Sequence, residues 1–128
     1  MSAMSDYLEL KFLEHVTGTA STSAPSAVYL GLATASLQDD ASGTELTGNN
    51  YSRKAITFAS ASSGSIASNA NVEFDPATGS WGDVSHWGIF DASSSGNLLF
   101  HGSFTSAKTI ASGDILKVAS GSLTISAD

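Results

Sequence analysis

The chain contains no cysteine. Disulfide scaffolds, cysteine-based zinc sites and thiol catalysis are therefore excluded. Charge is scarce as well. Only 13% of the 128 residues are Asp, Glu, Lys or Arg, about half the usual share for globular domains. Five basic residues stand against twelve acidic ones, for a formal net charge of −7. Arg53 and Lys54 form the one adjacent basic pair. Phosphate backbones and anionic membranes both reward clustered Lys and Arg, so neither nucleic acid nor membrane is an expected partner. No apolar run approaches the roughly 20 residues of a spanning helix. The stretch Met1 to Lys11 lacks the basic start and continuous apolar core of a secretory signal.

Hydrophobic residues nonetheless make up 41% of the chain. A disordered chain shows the reverse balance, with few apolar residues and many charges. The composition predicts one folded domain over 1–128, with a polar surface supplied by Ser, Thr, Asn and Gly.

The opening segment has helical spacing. Leu8, Phe12 and Val16 recur every four residues with Leu13 beside them, giving one apolar stripe. Asp6 suits the N-cap, and Glu9 three residues later suggests a capping box. Gly18 is a natural stop, because it can take the left-handed conformation past the last turn. A helix is expected over 6–17, with Leu8, Phe12 and Val16 as candidate assembly contacts.

From 27 to 126 the period is two. Val28, Leu30 and Leu32 alternate with Tyr29, Gly31 and Ala33. A polar stretch from Thr34 to Asn50 follows, too long for a simple connection and so expected to serve function or a partner. Strand patterns recur at Lys54 to Phe58, around Ile66, at Val72 and Phe74 before Pro76, at Val84 to Phe90, at Leu98 to Phe104, at Ile115 to Val118 and at Leu123 to Ile125. The Ser/Gly/Asn turn Ala92 to Asn97 predicts a hairpin. Short strands at this spacing predict a mainly β chain: an antiparallel β-sandwich or small barrel with one N-terminal α-helix.

Chemistry is thin on the ground. His86 and His101 fall on strands expected to pair, and with Asp83 or Asp91 they are the nearest approach to a metal site. No HxH or HxxxH spacing supports one. His15 suits the negative end of the helix. There is no G-x-S-x-G elbow and no phosphate-binding loop. Asp75, Asp83, Asp91 and Asp114 all sit beside Gly, Pro, Ser or Ala in turn contexts, where Asp caps its own backbone. No catalytic, cofactor or metal residues are assigned, and no enzyme is expected. Five aromatics, Trp81, Trp87, Phe90, Phe100 and Phe104, crowd one third of the chain. Aromatics serve as core or interface anchors and can also stack on sugar rings. Trp81 and Trp87, with Asn49, Asn50 and Tyr51 from the long loop, are the candidate contacts to a partner or receptor.

Three stretches taken together carry a resemblance: GTELTGNNYSRKAITF (Gly43 to Phe58), SWGDVSHWGIFDASSSGNLLFHGSF (Ser80 to Phe104) and SGDILKVASGSLTIS (Ser112 to Ser126). With the opening helix and the AVYLGLATA strand, they resemble a family of small tailed-bacteriophage virion proteins labelled tail fibre or minor tail proteins. The resemblance implies a non-enzymatic virion component, assembled in the host cytoplasm, whose partners are other virion proteins of the tail or the major capsid protein. It implies, by analogy, a homo-oligomer such as a trimer. Two alternatives stand beside the tail role: a capsid decoration (cement) protein, and a module that binds host surface glycan. No repeat or heptad able to build a fibre shaft is present.

Overall fold

A computed structural model describes residues 2–126. The chain runs through β1 (Ser2–Met4), α1 (Asp6–Val16), β2 (Val28–Ala33), β3 (Lys54–Ile56), β4 (Ser65–Ala67), β5 (Val72–Glu73), β6 (Gly82–Phe90), β7 (Leu98–Ile110), β8 (Lys117–Val118) and β9 (Thr124–Ser126). It is mainly β with one helix near its N-terminus, as the alternation predicts. All strand pairs are antiparallel.

Five strands form an open sheet in the order β1-β7-β6-β2-β3, and two ribbons, β4-β9 and β5-β8, complete the β structure. The sheet does not close into a barrel. Side chains from both parts meet in one core: Leu30, Leu32, Trp87 and Ile89 from the sheet, and Val72, Val118, Leu123 and Ile125 from or beside the ribbons. The ribbons thus form a second layer over one sheet face.

The opposite face is covered too. Gly31 and Ala33 of β2, with Gly88 and Phe90 of β6, point there, and Leu37 and Leu98 join Ala33 and Phe90 in a second cluster. Gly31 and Gly88 stand opposite each other in the ladder. A Cβ on Gly88 would come within 2.8 Å of Leu37 Cδ1 and 2.9 Å of Leu98 Cδ1. The glycine makes room for the loop side chain to lie flat on the sheet. The stretch 34–50 is therefore a packed cover, tied down by the buried Leu37, a bridge between Ala33 and Glu45, and a hydrogen bond from Leu46 N to Leu32 O at 2.9 Å.

Three local expectations are corrected. The N-cap is Ser5, one residue before Asp6: its hydroxyl accepts from Leu8 N at 3.3 Å, and the helix ends at Val16 with Thr17 as C-cap. Gly18 then takes φ 76°, as the stop requires. β1 lies ahead of the helix where no strand pattern is legible, pairing Ala3 with His101. β7 continues beyond Phe104 to Ile110.

Candidate interaction surface

The expected contact residues fall into two groups with opposite fates. Trp81 is 5% exposed and Trp87 4%. Both lie in the core, so their place at a contact surface is corrected. Trp81 meets Phe74 and Tyr51 edge-on, with ring centroids 6.3 and 5.6 Å apart, and Tyr51 stacks on Phe74 at 6.2 Å. The indole N–H of Trp81 donates to Asn49 O at 3.0 Å, which satisfies its polar edge inside the fold. Trp87 lies opposite Gly102 in the ladder.

Asn49 and Asn50 are exposed and sit in left-handed backbone at φ 51° and 69°. Their amides are already committed. Asn49 Nδ2 donates to Ser80 O at 3.1 Å, and Asn50 Nδ2 donates to Pro76 O at 2.9 Å. The pair clamps the loop onto the 76–81 segment. The Tyr51 hydroxyl accepts from Leu32 N at 2.9 Å and donates to Glu45. It thus takes the place of a strand partner at the edge of β2. Burial, reinforced by the Glu45 carboxylate, pushes this hydroxyl far above its ordinary titration range.

Sequence reading missed the polar hub beside these residues. Arg53 Nε and Nη2 donate to the two Glu45 carboxylate oxygens at 2.9 and 2.8 Å. Nη1 donates to Ala92 O and Ser95 O, both at 2.8 Å, and the guanidinium lies 3.6 Å from the centre of the Phe90 ring. One side chain thereby joins β3, the loop cover and the β6-β7 turn. The signal available was that Arg53 is the only arginine in a chain poor in charge.

The helix is where apolar surface is left open. No residue of α1 is buried. Leu8 turns inward with partial burial, but Phe12 is 53% exposed and Val16 58%, joined by Leu13 at 56% and Leu10 at 63%. Leu10 lies off the Leu8-Phe12-Val16 line, and reading that line alone overlooks it. Asp6, Glu9 and Glu14 accompany these side chains on the helix. Isolated exposed leucines are ordinary, whereas a contiguous group on one short helix is the mark of a contact surface. Beneath α1 a cavity of about 400 Å³ is lined by Tyr7, Leu8, Val28, Phe58, Leu99 and Ile125, among others. The helix is anchored at its start, where Ser5 N donates to Leu99 O at 2.8 Å and Ser5 Oγ donates to Leu98 O.

His86 and His101 stand diagonally across the β6-β7 ladder. His86 stands opposite Ser103, while His101 stands opposite Gly88 and meets Asp39, Nε2 to Oδ1, at 2.6 Å. Among the described residues no group of three or more His, Asp or Glu is placed to hold a metal. No helix among them is long and apolar enough to cross a membrane.

The family model described as Podophage GP4 fiber I protein gp80 matches residues 3–126. No curated protein matches the chain.

Proposed function

This chain belongs to the podophage GP4 fiber I protein gp80 family, and from that premise we propose that it is a non-enzymatic structural module of a phage tail, acting by assembly with other virion proteins. The observation that carries the reading is the match over nearly the whole chain, residues 3–126. A fibre family makes the chain a virion component that associates with other virion components.

The fold supports an assembly role. Turn carboxylates and loop amides are engaged in holding the chain together, as Asp91 is with Asn97 and Asn50 with Pro76 O. Apart from Ile115, the exposed large apolar side chains among the described residues lie on α1, and we assign the assembly contact to Leu10, Phe12, Leu13 and Val16, with Leu8 seating the helix on the body. An interface needs a dehydrated apolar centre with a polar rim. The helix supplies the first, and Asp6, Glu9 and Glu14 supply the second.

Copy number tests the tail reading. Quantitative mass spectrometry of purified particles should find a few to a few dozen copies per virion, as a tail location allows. Hundreds of copies would contradict it and point to a protein that decorates the capsid lattice.

A further inference from the structure

A groove of about 370 Å³ opens between β7 and the ribbon layer. One border is formed by residues 103–106 and 108, and the other by 116–118 and 122–124. Each border contains runs of consecutive residues, 103–106 on one side and 116–118 and 122–124 on the other. A strand that turns one face to a groove contributes alternate side chains. Consecutive ones indicate that backbone edges are presented. The floor is apolar, with Val84, Trp87, Leu116 and Val118.

The register explains why an edge is free there. Val84 pairs with Lys108 and His86 with Ser103, so Phe104, Thr105, Ser106 and Ala107 all stand opposite Ser85 alone. The bulge leaves these residues without ladder partners on β6. On the other side β7 meets β1 only at Phe100 to Gly102. Bulges of this kind terminate pairing and re-aim backbone groups beside functional sites.

The charge of the groove runs against that of the molecule. The chain carries −7 overall, yet the groove lining includes no carboxylate and holds Lys108 and Lys117. Among the described residues neither lysine is in an ion pair. Lys117 stands across the ladder from Glu73 without forming one.

We propose that this groove binds an extended acidic segment of another polypeptide, which adds as a strand along 104–107 and sets its carboxylates against Lys108 and Lys117. Strand addition draws its affinity from main-chain groups without ladder partners, which 104–107 supply, and the half-buried Phe104 adds apolar contact beside them. A sugar would want an open aromatic face, and Trp87 in the floor is almost fully covered.

The test is an amide NMR titration of the intact chain with peptides of about seven residues, enough for one strand. One peptide alternates valine with glutamate, another valine with lysine, and a uronic acid disaccharide serves as the anionic sugar probe. The glutamate peptide is expected to shift the amides of residues 104–107 and 116–118. The K108E/K117E variant, whose spectrum elsewhere should be unchanged, is expected to weaken that binding by at least about tenfold. The proposal is overturned by silence of those amides toward the glutamate peptide, by equal response to the lysine peptide, by binding of the disaccharide in place of the peptide, or by unchanged affinity in the double variant. Because the groove is defined without reference to a place on the particle, its failure would leave the tail reading standing, and the reverse holds as well.

Discussion

Arg53 shows how much a chain with little charge can ask of one residue. Its guanidinium is bidentate to Glu45, donates to two turn carbonyls and covers the Phe90 ring. A lysine keeps the charge but cannot reproduce the planar fork. Arg53→Lys is expected to cost about 2–3 kcal/mol in urea melts, since it leaves a mostly buried carboxylate and two carbonyls poorly satisfied. Trp87→Ala removes a large side chain from the centre of the core and should cost about 3–5 kcal/mol. A melting temperature that barely moves would contradict its buried placement. Asp91 brings a pH dependence. Burial works against its charge, but hydrogen bonds from the Asn97 backbone and side chain outweigh this, with Arg53 adding, and the carboxyl is held below its ordinary value. Stability from a depressed carboxyl is present above its unfolded value and is lost as pH falls through the folded one. The stability gap between the native chain and Asp91→Asn should therefore be full at neutral pH and shrink below about pH 4. A gap that stays constant down to pH 2 would count against it.

Among the elements, α1 and β6 are the instructive contrast. α1 was legible in sequence to within a residue or so at each end, because its spacing and its stop at Gly18 are local signals. Its orientation was not legible. The Leu8-Phe12-Val16 stripe marks candidate assembly contacts, but the spacing does not tell which of them seats the helix on the body: Leu8 turns inward, while Phe12 and Val16 stay exposed. The double change Phe12→Ser with Val16→Ser should thus alter folding stability by less than about 1 kcal/mol, as surface changes do, while lowering incorporation into particles. A large loss of stability would show that these side chains pack on the body after all. β6 is the opposite case. Alternation normally marks one buried and one exposed face, but β6 is covered on both, by the core at Trp87 and Ile89 and by the loop at Gly88 and Phe90. Alternation does not show which tryptophans are open, and both Trp81 and Trp87, candidate contacts by sequence, are buried. The ribbons were half legible. Ile66, Val72, Val118 and Ile125 signal strands locally, but the pairing of Ile66 with Ile125 and of Val72 with Val118 joins distant parts of the chain, and no local pattern encodes it.

At the scale of the molecule, polar groups near the surface are used inward, as in the Asn49 and Asn50 clamps and the Arg53 hub. That economy leaves two features unspent: the outer surface of α1 and the edge groove beside the β7 bulge. Neither was visible in composition. The first depends on how the helix sits, and the second on four residues of β7 standing opposite Ser85. The family resemblance, by contrast, was legible in three quoted stretches because motif order survives without knowledge of the fold. The central claim is that this chain is a tail component held by its helix, and a cryo-EM map of intact particles tests it most directly. The account predicts density for the chain at the tail, with α1 turned toward a neighbouring protein. Density on the capsid lattice, or α1 facing open solvent in the assembled particle, would contradict it.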